Sequence, residues 1–147
     1  MKIISGGQTG ADMGGLIGAV RAKIETGGTA PKGYRTEYGP ADKFLKPMGL
    51  VESKEHNYNF RTMANINNSD GTVIFADHIE SFGTQFTINT CRSYNKPYIC
   101  NPKIKELKEF IKYHDVKILN VAGNRESVAP GIQQRTADFI YKTFKKD

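Results

Sequence analysis

The chain has 147 residues, which is close to the commonest size of one domain and too short for two ordinary domains. Hydrophobic residues make up 38% and charged residues 24%, so the composition excludes a disordered chain, which combines low hydrophobicity with high net charge. The net charge of +6 favours an anionic partner, either a phosphate-bearing small molecule or nucleic acid. No apolar run approaches the ~18 residues that suggest a membrane span, and Cys91 and Cys100 match no metal or redox spacing. We therefore expect a cytoplasmic protein with reduced cysteines, no membrane association and no metal site.

Short β-branched runs alternate with helical stretches along the chain. The predicted elements, in chain order, are strand Lys2–Ser5, helix Asp12–Lys23, strand Thr26–Ala30, mainly loop over 31–49, strand Leu50–Ser53, helix Asn57–Asn68, strand Gly71–Ala76, helix Gly83–Asn95, strand Pro97–Cys100, helix Ile104–Tyr113, strand Lys117–Val121 and helix Gly131–Phe144. This alternation predicts an α/β fold with an open, mostly parallel sheet and helices on both faces. Because there is no repeat, linker or low-complexity segment, residues 1–147 are expected to form a single domain.

The loop after the first strand is the strongest candidate site. A glycine-rich turn between a strand and a helix presents free backbone N–H groups at the positive end of the helix, which suits an anion. The turn lacks the Gly-Lys-Ser/Thr ending of a Walker A loop, and Ser5 replaces the first glycine of the dinucleotide fingerprint. If this loop holds a phosphate, Gly7→Val should abolish binding without unfolding the protein. The candidate ligand-binding residues here are Gly6, Gly7, Gln8, Thr9, Gly10 and Asp12.

Several of these residues also have a purely structural interpretation. Asp12 could stabilise the helix dipole or accept hydrogen bonds from a ring or ribose, and the two roles are about equally weighted. The glycines at 14, 15 and 18 lie inside a predicted helix, where each costs about 1 kcal/mol relative to alanine. A close neighbouring helix or strand is the expected reason for them.

Further candidates follow other strands, because ligands of open parallel sheets bind beyond the carboxyl ends of the strands. Lys32 and Arg35 stand where dinucleotide enzymes carry an acid, and these cations suit a phosphate instead. Gly83 and Thr84 open a helix and form a second possible phosphate cradle. Arg61 could reach an anion or form an exposed ion pair. The candidates outside the first loop are Lys32, Arg35, Arg61, Asn65, Gly83, Thr84, Thr87, Arg125 and Ser127.

Six motifs, in order along the chain, resemble the molybdenum cofactor carrier family. They are Ser5-Gly-Gly-Gln-Thr-Gly-Ala-Asp12, Pro31-Lys-Gly, Arg61-Thr-x-x-Asn65, Ser69-Asp-Gly-Thr72, Gly83-Thr84, and Asn120-Val-Ala-Gly-x-Arg-Glu-Ser127 followed by Ala129-Pro-Gly-Ile132. That family is a branch of the SLOG superfamily of Rossmann-like nucleotide-binding proteins and is related to the lysine-decarboxylase-like LOG proteins. The resemblance implies an open Rossmann-like sheet, a homo-oligomer, and a bound molybdenum cofactor or nucleotide-type ligand, with no cofactor required for function.

Two positions depart from the family patterns. Thr87 stands where LOG-type hydrolases have a catalytic glutamate, so the resemblance does not carry hydrolase chemistry to this chain and no catalytic residue is assigned. Asn124 stands where a proline is expected in the last motif, which puts the shape of that loop in doubt.

The leading hypothesis is non-catalytic binding of a phosphate-bearing pterin or nucleotide-derived molecule. Such binding could serve cofactor carriage, or sequestration of a nucleotide immune signal by a phage-encoded sponge. The alternative is hydrolysis of a nucleotide N-glycosidic or phosphate bond, which needs a nearby carboxylate. Nucleic-acid binding is less favoured, because the positive charge forms no basic arm. The candidate sources of the hydrolytic carboxylate are Asp12, Asp70, Asp77 and Glu126.

Overall fold

The computed structural model describes residues 1–55 and 57–146 and is built around a six-stranded, all-parallel sheet. The strands are β1 (Lys2–Ile4), β2 (Glu25–Ala30), β3 (Arg35–Thr36), β4 (Gly39–Pro40), β5 (Leu50–Glu52), β6 (Gly71–Phe75), β7 (Tyr98–Cys100) and β8 (Ile118–Gly123). The helices are α1 (Ala11–Arg21), α2 (Asp42–Leu45), α3 (Tyr58–Asn67), α4 (Phe82–Ser93), α5 (Ile104–Tyr113) and α6 (Ile132–Phe144). The large sheet has the order β5-β2-β1-β8-β6-β7, and β3 pairs with β4 in a separate antiparallel hairpin. The α/β prediction is confirmed, and every predicted strand and helix is present with small shifts at its ends.

The prediction of mainly loop over 31–49 is wrong in part. This segment contains the β3–β4 hairpin, the short helix α2 and two 3-10 turns. Its proline and glycine content is typical of a loop, but its apolar residues are buried: Tyr34 and Leu45 pack with Leu16 and Leu50. The burial of these side chains fixes a segment whose backbone has little regular structure of its own.

Helices cover both faces of the sheet. On one face α1 and α5 each pack against α6, and the main core lies between these helices and the central strands. On the other face α3 packs against α4 and β2, while α4 also contacts β8. None of the helices in the described residues has the length and apolar character that crossing a membrane requires.

The glycines inside α1 have the packing role that was predicted for them. A Cβ on Gly14 would lie 2.5 Å from the carbonyl oxygen of Gln133, and one on Gly18 would lie 2.5 Å from that of Ala137. Both carbonyls belong to α6, so the two helices approach closely along a stripe without side chains. Gly15 instead faces Val121 of β8 at a similarly short distance. Close packing at these positions therefore compensates for the low helix propensity of glycine.

The strand order places a crevice at the centre of the sheet. β1 is followed by α1 on one face, whereas β6, two positions away across β8, is followed by α4 on the other face. The loops after β1 and β6 therefore diverge to opposite sides and leave a gap beyond the carboxyl end of β8. Open α/β sheets bind their ligands at such switch points.

Candidate functional site

A cavity of about 450 Å³ lies in this crevice, between α3, α4 and the loops after β1 and β8. Binding pockets for small molecules commonly have volumes of roughly 300–1,000 Å³. Its lining includes the aromatic side chains of Tyr58, Phe82 and Phe86 beside polar groups from four segments. The predicted site residues that line it are Gly6, Gln8, Asp12, Arg61, Asn65, Gly83, Thr84, Thr87 and Arg125. Those outside the lining are Gly7, Thr9, Gly10, Lys32, Arg35 and Ser127.

The first loop does not offer the free backbone N–H groups that the sequence suggested. The N–H of Gly7 donates to Ser5 Oγ at 3.2 Å, and that of Gln8 donates to Asp12 Oδ2 at 3.2 Å. The N–H of Thr9 donates to Gln8 Oε1 at 3.0 Å. The next two N–H groups, of Gly10 and Ala11, donate to Gln133 Oε1 and the Asn124 carbonyl. A phosphate entering this loop would have to displace acceptors that the protein itself supplies.

Gly7 is also a poor place to test the loop by substitution. Its φ of +75° lies in the left-handed region, and a Cβ there would lie 2.7 Å from Leu45. Valine is strained at such a φ and would press against the buried cluster around Leu45. The expectation that Gly7→Val leaves the protein folded is therefore not supported by this geometry.

Asp12 and Arg61 form an ion pair in the wall of the cavity. Arg61 Nη1 lies 2.9 Å from Asp12 Oδ2, and the two side chains are 16% and 6% exposed. Burial raises the pKa of the Asp12 carboxyl, while the charge of Arg61 and the N–H of Gln8 act in the opposite direction. A Cβ on Gly6 would overlap the guanidinium, so the glycine is needed for Arg61 to lie against the loop. Of the two interpretations of Arg61, an ion pair is present, but it is buried in the cavity wall instead of exposed.

Glu37 is a central residue that the sequence analysis missed. Its carboxylate accepts hydrogen bonds from the hydroxyls of Thr9 and Ser127 and from the Ser127 N–H at 3.2 Å. Arg125 Nε lies 3.7 Å away, and the Glu37 N–H donates to Gln8 Oε1 at 2.9 Å. Three predicted ligand residues, Thr9, Arg125 and Ser127, are thus engaged by a carboxylate of the protein. Glu37 binds the β3–β4 hairpin to the loops after β1 and β8.

The start of α4 leaves backbone N–H groups open to the cavity. Ser81 caps the helix, and its Oγ accepts from the Thr84 N–H at 3.4 Å. Among the residues that the structure describes, the N–H groups of Phe82 and Gly83 have no acceptor. A Cβ on Gly83 would meet nothing within 4 Å, so a ligand can approach the backbone there. These two N–H groups lie at the positive end of a helix of 12 residues.

Asn124 holds the start of α4 against the loop after β8. Its Oδ1 accepts from the His78 N–H at 2.8 Å, and its Nδ2 lies 3.2 Å from both Ser81 Oγ and Thr84 Oγ1. A proline has no side-chain amide and could make none of these bonds. Asn124, which stands where the motif suggested a proline, therefore fixes the shape of this loop through its own hydrogen bonds. Its neighbour in the wall is Asn120, a polar residue 3% exposed in an otherwise apolar strand.

The remaining predicted residues have local partners. The Asn65 amide bridges the backbone of β2, accepting from the Thr29 N–H at 2.8 Å and donating to its carbonyl at 3.0 Å. Thr87 Oγ1 donates to the Gly83 carbonyl at 3.0 Å. Lys32 and Arg35 are exposed and lie outside the cavity, so the structure does not bring them to the other candidates. Their proposed phosphate contacts remain untested predictions.

The model of the circularly permutated YpsA SLOG family matches residues 3–144. The chain belongs to this family. It is also similar to a crystal structure of a protein from Syntrophus aciditrophicus SB described as a "Putative molybdenum carrier protein". The two chains are 34% identical with a TM-score of 0.85, over 97% of this chain and 93% of that chain. No curated protein matches the chain.

Family membership confirms the resemblance seen in the motifs. The structure of this SLOG protein also reduces the number of carboxylates that could take part in hydrolysis. Of the four carboxylates considered for hydrolysis, Asp12 lines the cavity and the others have structural partners. Asp70 accepts from two backbone N–H groups before β8, and Asp77 forms a two-bond pair with Arg135. Glu126 accepts from two N–H groups at the start of α6.

Proposed function

We propose that this SLOG protein binds a phosphate-bearing small molecule, a pterin or a nucleotide derivative, and does not turn it over. The observation that carries the proposal is the pair of unpartnered N–H groups at Phe82 and Gly83, which line the same cavity as Arg61. Backbone donors at a helix start suit a phosphate, and a guanidinium in the same cavity adds favourable positive charge. The aromatic side chains of the lining would pack against a planar ring.

The phosphate is assigned to the start of α4 and not to the first loop, because the loop already contains its own anion. Asp12 accepts the Gln8 N–H, and Glu37 accepts from the other donors near the loop. A phosphate placed beside either carboxylate would be repelled. The second cradle recognised in the sequence, Gly83-Thr84, is therefore the primary one in this proposal.

The similarity to a protein named as a molybdenum carrier favours a molybdenum-bearing pterin as cargo. A nucleotide signal would fit the same combination of helix start, cation and aromatic side chains. Carriage of a pterin cofactor and sequestration of a nucleotide signal are both forms of the proposed binding function. They differ in what releases the ligand. We further propose a homo-oligomer, which sedimentation analysis would test directly.

Hydrolysis is the second candidate function, and Asp12 is the observation that favours it. Its carboxylate lies in the cavity wall, with a pKa raised by burial despite the opposing effects of Arg61 and Gln8, as a general acid requires. Against it, Thr87 takes the place of the catalytic glutamate, and its hydroxyl is hydrogen-bonded within α4. A nucleotide that is recovered intact after long incubation, as shown by chromatography, would argue against hydrolysis.

Binding is tested by titrating purified protein with molybdenum cofactor, cyclic nucleotides, ADP-ribose and nucleoside monophosphates. Gly83→Val adds a branched side chain where a Cβ meets nothing, so it should block the helix start without disturbing the core. We expect it to weaken binding by about tenfold or more, since it removes access to two charge-assisted hydrogen bonds. Lys105→Val, at the equivalent second position of α5, is the matched control and should bind as the wild type does. Binding of none of these compounds by the wild type, or equal affinity of Gly83→Val, would refute the proposal.

A further inference from the structure

The cavity has one end that suits an anion and another that does not. At the start of α4, the N–H groups of Phe82 and Gly83 are donors without acceptors among the described residues. At the first loop, the buried Asp12 carboxylate faces the same cavity, and the neighbouring N–H groups already have acceptors. A ligand that fills the cavity must therefore present different chemistry to its two ends.

The strand order sets the separation of these ends. The first loop follows β1 and α4 follows β6, and β8 lies between those two strands. Because neighbouring strands are about 4.8 Å apart, the strands that carry the two ends lie about 10 Å apart, which sets the scale of the separation. A nucleoside monophosphate or a pterin phosphate has a phosphate and ring or sugar hydrogen-bond donors at a comparable separation.

The contacts of Asp12 determine which atom is available to a ligand. Oδ2 accepts from the Gln8 N–H at 3.2 Å and from Arg61 Nη1 at 2.9 Å. The hydrogen bonds from Gln8 and Arg61 both end on Oδ2, and the Gly6 N–H also donates to this carboxylate. Because a carboxylate has about four acceptor positions, Oδ1 keeps at least one for a further donor. A carboxylate oxygen accepts hydrogen bonds and donates none.

We infer that Asp12 determines the specificity of the site: its Oδ1 accepts a hydrogen bond from an N–H or O–H group of the ligand at the end opposite the phosphate. The ligand class is thus a phosphorylated ring compound with a donor about 10 Å from its phosphate. Asp12 is a binding residue here, and no bond is formed or broken. The inference rests on the proposed function, because it requires the phosphate to lie at the start of α4.

Asp12→Asn can replace the hydrogen-bond acceptor at the Oδ1 position by a donor. In the variant, the amide oxygen should take the place of Oδ2, because both the Gln8 N–H and Arg61 are donors there. The amide nitrogen then lies at the Oδ1 position and presents donors to the cavity in place of an acceptor. The variant also removes a negative charge, so the field around the cavity becomes more favourable to a phosphate.

The test compares inorganic phosphate with guanosine 5′-monophosphate, which has both a phosphate and ring and sugar donors. We expect the wild type to bind the nucleotide more tightly than phosphate. In Asp12→Asn the nucleotide should lose about tenfold or more in affinity, while phosphate binds equally well or more tightly. The opposite signs exclude misfolding, which would weaken both. Asp138→Asn, which alters an exposed Asp–Arg pair with the same 2.9 Å distance, is the matched control and should change neither affinity.

The other outcomes distinguish a failure of the role of Asp12 from a failure of the proposed binding function. Equal changes for both probes in Asp12→Asn, or a wild type that binds the nucleotide no better than phosphate, overturn the role of Asp12 alone. A wild type that binds neither these probes nor the compounds of the wider panel overturns the proposed function together with this inference.

Discussion

The close contact between α1 and α6 leads to a prediction that can be worked out from distances. A Cβ on Gly18 would lie 2.5 Å from the Ala137 carbonyl oxygen and 2.8 Å from the Ile140 Cβ. Neither atom can move by a side-chain rotation, so Gly18→Ala must push the helices apart. Overpacking of this kind costs about 1–3 kcal/mol, and we take the upper end because the obstacles are rigid. The gain in helix propensity of about 1 kcal/mol opposes it, which leaves a net loss of about 2 kcal/mol.

For a chain of this size, that loss corresponds to a decrease in Tm of about 4–8 °C. Calorimetry measures the shift, and urea denaturation at constant m-value checks that the folded state has lost stability. Gly83→Ala is the matched control for stability, because a Cβ there meets nothing and its Tm should stay the same or rise slightly. A Gly18→Ala protein as stable as the wild type would refute the close approach of the two helices.

Three further predictions concern the residues that hold the cavity wall. Burial alone would raise the pKa of Glu37, but hydrogen bonds from Ser127 and Thr9 outweigh it and hold the pKa below the usual 4.5. The charged Glu37 therefore stabilises the folded state above pH 4.5, and this stabilisation is lost as the pH falls through the lower folded-state pKa. In urea denaturation, Glu37→Gln should be less stable than the wild type at pH 7 and equally stable in strong acid. Asn124→Ala removes the amide that positions the start of α4, and we expect faster amide exchange at 78–84 and a loss of about 1–3 kcal/mol in unfolding free energy. Asn65→Ala leaves the backbone N–H and carbonyl of Thr29 without partners, so chemical denaturation should show a loss of about 1–3 kcal/mol, and an unchanged midpoint would contradict the bridge.

Local patterns in the sequence predicted the fold and part of the site. The apolar periodicity of the helices and the β-branched runs located the helices and the strands of the large sheet. These patterns are informative because the apolar helix faces and the strands are buried against one another in the fold. The glycines at 14 and 18 were assigned to packing because their cost in a helix needs a compensating contact. Gly83 was recognised as a possible cradle because it opens a helix, and that needs only local information.

What the sequence did not reveal depends on contacts between distant residues. Glu37 lies in a segment without periodicity, and its partner Ser127 is 90 positions away. The loss of the free N–H groups in the first loop likewise depends on Gln133, which is 123 positions from Gly10. Asn120 did leave a signal, since a polar residue in a buried strand needs a partner: its Nδ2 donates to Thr72 Oγ1 at 3.3 Å, and the residue lines the cavity.

The central position of β8 has a consequence for how the protein is made. This strand lies between β1 and β6, although it follows every other strand along the chain. Until it leaves the ribosome, the β5-β2-β1 and β6-β7 parts of the sheet have no strand to join them. The edges of β1 and β6 that pair with β8, and the glycine stripe of α1 that packs on α6, would therefore have no partner during most of synthesis. Folding should therefore be completed late, and a nascent chain without β8 and α6 should have no affinity for the ligand.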